Sequence, residues 1–252
     1  MTAAELIDAL ALPVGAFVDR RVPKTLLVEN GAPTAADKRA IQEGIEEVRW
    51  VAAVKPTTAG VPAYRDGERE YLEIAVLRLA LREGAKKDRL VELVHRSIPY
   101  PVVLVVEEGG AVSISLVEKR SALNEAGRVV LDGDLVEAVV DGDTPTGILS
   151  SFLEALSLAR QPRDSMRALY TGWADAVTAL NVSRLTGRFV LPDTPEYAAG
   201  RREALKEIVR LDGEIAAARR AAAKEKQMAR RADLNLEHAR LKAAREAALK
   251  NL

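Results

Sequence analysis

Between residues 70 and 120, apolar and polar positions change rhythm three times. EYLEIAVLRLAL is too apolar for a surface strand and reads as a strand inside a sheet, closed by Gly84. From Lys86 onward Leu90, Val91, Leu93, Val94 and Ile98 fall at helical spacing among Lys86, Lys87, Arg89, Glu92 and Arg96. Pro99 and Pro101 stop that helix, because the residue before a proline is pushed out of the α region. Val102 to Val106 is an unbroken buried strand, and Glu108-Gly109-Gly110 is a tight turn. Ala111 to Lys119 then sets Val112, Ile114 and Leu116 against Ser113 and Ser115. The pattern predicts a right-handed strand–helix–strand crossover with the Leu90/Val94 face of the helix on the sheet.

Upstream, Thr2 caps a short helix to Leu10, ended by Pro13 and Gly15, and Thr34 caps another through Glu47, with Asp37 serving the helix dipole. The stretch from Ala16 to Asn30 is ambiguous: Leu26, Leu27 and Val28 read as structural, and Arg20, Arg21 and Lys24 flank Pro23. Val48 to Val54 is a strand carrying Trp50, and Pro56 to Asp66 is a loop. Downstream, Val129 to Leu131 and Leu135 to Val140 read as short strands. After Pro145 the rhythm is helical: Gly147 to Leu158, then Asp164 to Leu185 with Tyr170, Trp173, Val177 and Leu180 near one face and Gly187 as the C-cap.

Residues 197 to 252 are helical throughout. Ile208, Ile215, Ala222, Ala229, Leu236 and Ala243 recur every seven residues, and Leu234, Leu241 and Ala248 form a second such series. The shift between them implies a stutter or a bend. Either a hairpin breaks near Asp212 or Asp233, or one long helix pairs with a second copy of the chain through residues 200–252. The expected fold class is α+β: a mixed β-sheet domain with packed helices over 1–145, a helical region over 146–195 and a coiled coil over 196–252.

With 48% hydrophobic and 29% charged residues the chain has an ordinary globular balance, which argues against disorder of the whole. It has no cysteine, which fits a reducing compartment. The start lacks the basic-then-apolar order of a signal peptide, and no apolar run approaches the ~20 residues needed to span a bilayer. The expected location is cytoplasmic, with no membrane partner. Net charge is zero, but residues 201–252 hold 14 Lys or Arg against 8 Asp or Glu, leaving the rest of the chain acidic. Arg219, Arg220, Lys224, Lys226, Arg230 and Arg231 crowd into thirteen residues with only Glu225 to offset them. Such a run fits a phosphate backbone or an acidic protein surface, and equally a solvated coiled-coil face. Aromatics for base stacking are absent there, which disfavours single-strand recognition.

Catalytic signatures are weak. No phosphate-binding glycine loop is present. His95 and His238 lie far apart on predicted helices without metal-type spacing, and His95 reads as a helix-surface or boundary residue. Asp132-Gly133-Asp134 and Asp141-Gly142-Asp143 read as polar turns rather than a cation site, since the liganding glutamate at fixed spacing is missing. Asp66 followed by Glu73 imitates the start of a metal-dependent nuclease pattern, but position 75 is Ala where a lysine would stand. Glu70 and Glu73 are unusual in a buried strand unless they sit at an edge or pair with Arg20, Lys24 or Arg78. No catalytic, cofactor or metal residue is assigned.

VPKTLLVENGAPTAADKRAIQEGIEEVRWVAAVKP, REYLEIAVLRLAL, HRSIPYPVVLVVEEGGAVSISLVEKR, ALYTGWADAVTALNVSRLTGRF and KEKQMARRADLNLEHARLKA, in that order, resemble an uncharacterised bacterial family. That family is domain of unknown function number four thousand three hundred and ninety-one. The most specific pieces are Ile98-Pro99-Tyr100-Pro101 and Leu234-Asn235. The resemblance carries over no catalytic residue. It implies an accessory role beside helicases and DNA methyltransferases in restriction-like, anti-phage islands. The expected function is a non-enzymatic interaction protein docking on such a DNA-processing machine. The alternatives are a direct binder of duplex DNA through the basic C-terminal helix, and a divergent metal-dependent nuclease.

Overall fold

The computed structural model describes residues 1–122 and 129–252. In chain order the elements are α1 (Ala3–Ala9), β1 (Phe17–Arg21), α2 (Lys24–Gly31), α3 (Ala35–Gly44), β2 (Ile45–Val54), α4 (Pro56–Ala59), β3 (Tyr64–Arg65), β4 (Glu70–Tyr71) and β5 (Ile74–Leu81). There follow α5 (Lys87–Ser97), β6 (Val102–Glu108), β7 (Ala111–Ser121), β8 (Val129–Val140), α6 (Thr146–Leu156), α7 (Met166–Thr186), α8 (Pro195–Lys224) and α9 (Met228–Leu249). The chain divides into two compact units, Met1–Asn181 and Val182–Leu252.

The first unit is mixed α/β. Six strands pair in the order β1-β2-β5-β6-β7-β8, and β3 and β4 form a separate two-stranded ribbon. Among the described strands only β5 and β6 run parallel, with Leu77 opposite Leu104, and α5 is the crossover between them. Alternation along the strands makes two apolar faces. Ala75, Leu77 and Leu79 of β5 and Val102, Leu104 and Val106 of β6 join Leu27, Ile41, Leu90 and Val94 in one core. The expected seating of the Leu90/Val94 face is therefore observed. On the other side α1 abuts β6, and the amide of Ala3 donates to Glu107. Tyr170 Oη of α7 donates to Val102 O at 2.9 Å and accepts from the Val117 amide at 3.0 Å, which fastens that helix to the backbone of β6 and β7. Trp173 Nε1 donates to Leu156 O at 2.8 Å and ties α7 to α6.

Several boundaries differ from the sequence reading. The helix capped by Thr34 stops at Gly44, because β-branched Ile45 and Val48 pair along β5, with Ile45 opposite Leu81. The ambiguous segment resolves into an edge strand and a helix. Residues 56–66 contain a helical turn and a short strand rather than loop alone. The expected continuous strand breaks between Tyr71 and Ile74, which puts Glu70 and Glu73 outside the buried run. Residues 129–140 form one strand: Asp132-Gly133-Asp134 is not a turn but a bulge, with Gly133 at φ 85° and the register shifted opposite Leu116 and Glu118. Asp141 does open a turn, accepting from the Thr144 amide.

Asp37 ties α3 to the crossover helix. Its two oxygens accept from Arg89 Nε at 2.8 Å and Nη2 at 3.0 Å, and its amide donates to Thr34 Oγ1. Hydrogen bonds from Arg89, then from Thr34, hold this carboxyl well below the usual carboxylate range. The unfolded chain keeps an ordinary pKa of about 3.9. The stabilisation is therefore present above that value and is lost as pH falls below it. Asp37→Asn is expected to lower the urea midpoint at pH 7 and to flatten the loss of stability between pH 4 and pH 2. Wild-type and variant midpoints that fall in parallel over that range would remove Asp37 as the acid-sensitive group.

Candidate partner interface at the tip of the C-terminal hairpin

The acidic residues around β4 are engaged in structural pairs. Asp66 closes the β3–β4 ribbon, accepting from the amides of Glu68 (2.8 Å) and Arg69 (2.7 Å) and from Tyr64 Oη (2.7 Å). These bonds, that from Glu68 first, lower its carboxyl to about 2. Glu70 pairs with Arg65 at 2.7 Å and Glu73 with Lys55 at 3.4 Å. The partners considered from sequence are occupied differently, since Arg78 pairs with Glu107 and Lys24 Nζ donates to the carbonyl of Gln42 at 3.0 Å. Asp132 binds Arg69 and Arg120. Among the described residues no group of three or more His, Cys, Asp or Glu side chains is gathered as a metal site requires.

His95 lies inside the sheet unit, not at a helix surface, because its turn of α5 faces β7 rather than solvent. Its Nε2 is 2.9 Å from Ser115 Oγ, and neither residue is exposed. Burial first, then the charge of Lys119, keeps the imidazole well below its usual range, hence neutral. Lys119 is 3% exposed, and its Nζ donates to the carbonyls of His95, Ile98 and Tyr100, each at 2.6 Å. Burial pulls that ammonium down to about 7. This arrangement is closed to solvent and ends a helix.

The second unit gathers the charge that the sequence sets apart. Helices α8 and α9 form an antiparallel hairpin: Arg245 Nε bonds Asp212 at 2.5 Å, and Tyr197 Oη donates to Leu252 O at 2.9 Å. The break lies at residues 225–227, not near Asp212 or Asp233. No glycine or proline marks it. In an unbroken helix Lys226 would sit on Arg230, a like-charge pair at i,i+4. Glu225 leaves the helix at φ −74°, ψ 126°, and its carboxylate accepts from the Gln227 amide. The two seven-residue series thereby separate. Ala198, Arg201, Ala204, Ile208, Leu211, Ala218 and Ala222 are the buried positions of α8. In α9 Leu234, Leu241 and Ala248 are buried or half-buried, whereas Ala229, Leu236 and Ala243 are exposed.

Arg219, Arg220 and Lys224 end α8, Lys226 lies in the break, and Arg230 and Arg231 open α9. All six are exposed. The fold therefore brings them to one end of the hairpin, and among the described residues none has an ion pair. Arg230 and Arg231 stand against the electrostatics of their own helix. A helix N-terminus favours acids, yet the first turn of α9 has none, and its N-cap Gln227 makes no side-chain cap. Each misplaced cation costs roughly 0.3–1 kcal/mol at such a position. An anionic surface laid on this tip would relieve that cost. Met228, 73% exposed, sits among the cations.

Residues 10–245 match the family described as Domain of unknown function (DUF4391). No curated protein and no solved structure matches the chain. No helix among the described residues is long and apolar enough to cross a membrane.

Proposed function

The chain belongs to the DUF4391 family, and we propose that it is a cytoplasmic, non-enzymatic interaction protein that docks through the hairpin tip on an acidic surface of a DNA-processing partner, a helicase or DNA methyltransferase of an anti-phage defence complex. The observation that carries this reading is the tip itself: six cations that have no ion pair among the described residues, two of them at an uncapped helix N-terminus, around an exposed methionine. A thioether adapts to an irregular protein surface and gains little from a phosphate backbone. The heptad spacing of the buried positions supports a coiled-coil hairpin as the arm that carries the tip. Placement of the partner among helicases and methyltransferases rests on the family resemblance.

A second reading, direct binding of duplex DNA, draws on the same cations. No observation favours a nuclease, since Asp66, Glu70 and Glu73 are committed to separate structural pairs.

The two readings part on salt and on substitution. Replacing Arg219, Arg220, Arg230 and Arg231 with Gln preserves helix propensity. The variant is expected to keep its far-ultraviolet dichroism and to lose the partner that the wild-type chain retains when purified from its native host. Wild-type protein is expected to bind duplex DNA only weakly. If instead it binds with log affinity falling by roughly 0.9 per neutralised phosphate against log salt, and the variant flattens that slope while retaining its partner, the DNA reading replaces docking.

A further inference from the structure

Among the described residues one long face of α9 is left exposed by the hairpin, and that face is apolar. Met228, Ala232, Leu236, Ala239 and Ala243 follow one another at intervals of four, four, three and four residues, which is one side of a helix. All five are exposed, Leu236 by 54%. The opposite side carries Leu234, Leu241 and Ala248, the residues turned inward. A helix with one neighbour needs one apolar face, and α9 has two.

We propose that this second face binds the same face of a second copy of this chain, with the two α9 helices antiparallel about a twofold axis near residues 237 and 238. Two observations select a second copy over another occupant. The first is steric fit. About that axis Leu236 lies over the partner's Ala239, a large side chain on a small one, and Ala232 lies over the partner's Ala243, two small ones that let the backbones approach closely. The second is charge. Asp233 and Arg240 border the face on one edge, and among the described residues neither has an ion pair within its own chain. The antiparallel arrangement sets Asp233 beside the partner's Arg240, and symmetry repeats the pair. A parallel mate would set Arg240 beside the partner's His238 and Lys242 instead of an acid.

The contact is small. The sixteen residues from Met228 to Ala243 make roughly 24 Å of helix, and one helix pair falls short of the ~1,200 Å² of stable interfaces. The dimer is accordingly weak, with a dissociation constant of roughly micromolar order.

The chain has no cysteine, so introduced pairs report without background. Full-length Ala232→Cys and Ala243→Cys proteins, mixed and mildly oxidised, are expected to give a disulfide-linked dimer joining one chain of each kind. Neither variant alone should cross-link at a comparable rate. Rapid cross-linking of Ala243→Cys with itself, or none in the mixture up to about 1 mM (a concentration at which a micromolar dimer is saturated), overturns the arrangement. In sedimentation equilibrium, Asp233→Arg and Arg240→Asp should each weaken association about tenfold, from two lost pairs and two repulsions. The double variant restores the pairs in reverse and should recover the wild-type constant; a double variant as weak as either single one rules out the charge register. The Gln substitutions at the tip should leave the cross-link unchanged, which separates this test from that of docking.

Discussion

Lys119→Met is expected to destabilise the sheet unit by about 3 kcal/mol, since two buried carbonyls and a half-buried one lose their donor at once. The cause begins in the sequence. In a continuing helix the carbonyl of His95 would accept from the amide of residue 99, but that residue is Pro99 and has no N–H. Pro101 removes the next amide but one, and each proline forces the residue before it into extended backbone. Three carbonyls are thus turned inward without backbone donors. The three ammonium hydrogens of Lys119 reach them from β7 at 2.6 Å. Methionine fills the same space and donates nothing. A loss of that size corresponds to a melting temperature lower by roughly 10 °C for a unit of this length.

The same lysine gives a sign to the pH dependence. Burial lowers its ammonium to about 7, whereas a lysine in the unfolded chain titrates near 10.4. Between those values the unfolded chain holds the proton more strongly, so stability should rise with pH from 7 towards 10. Below pH 7 both states are charged and the slope vanishes. Urea midpoints at pH 7, 8 and 9 should climb for the wild type and stay level for Lys119→Met. Equal slopes, or a variant as stable as the wild type, would mean that the lysine is not the donor that ends α5.

How much of this was legible depends on whether the signal is local. The segment from Ile74 to Lys119 was, because apolar runs, a helical rhythm, two prolines and a Gly-Gly turn each act within a few residues. Its Lys119 lock was not, since the donor lies more than eighteen residues from every carbonyl it serves and reads in sequence as one polar position on an alternating strand. The strand Phe17–Arg21 also escaped, because every residue in it is exposed and no alternation betrays it. Asp132-Gly133-Asp134 carries turn chemistry, yet pairing with β7 on both sides keeps it in one strand. For the candidate interface, the six cations were visible as composition. Their convergence was not, because no glycine or proline marks the break at residues 225–227 that folds the helix back among them.

Gly31→Ala is expected to cost about 2–4 kcal/mol, combining overpacking with a lost buried hydrogen bond. Gly31 ends α2 where that helix meets α5, and both contribute to the core beneath the sheet. A methyl at position 31 would lie 2.0 Å from Ser97 Oγ and 2.8 Å from the carbonyl oxygen of Leu93. The hydroxyl cannot simply swing away. Ser97 Oγ donates to Leu93 O at 2.6 Å and lies 3.2 Å from Leu27 O, bridging the ends of the two helices, and the residue is buried. Either α2 retreats, opening space around Leu27, or Ser97 leaves its bridge with its hydroxyl unpaired. Removing the hydroxyl separates these outcomes. Ser97→Ala alone should cost about 1 kcal/mol, the net worth of one hydrogen bond. In Gly31→Ala/Ser97→Ala the 2.0 Å clash is gone but the approach to Leu93 O remains. The double variant should therefore be more stable than Gly31→Ala alone and less stable than the wild type. Chemical denaturation of the four proteins reads this coupling directly. Strict additivity of the two single losses would show that the helices do not meet at Gly31 and Ser97.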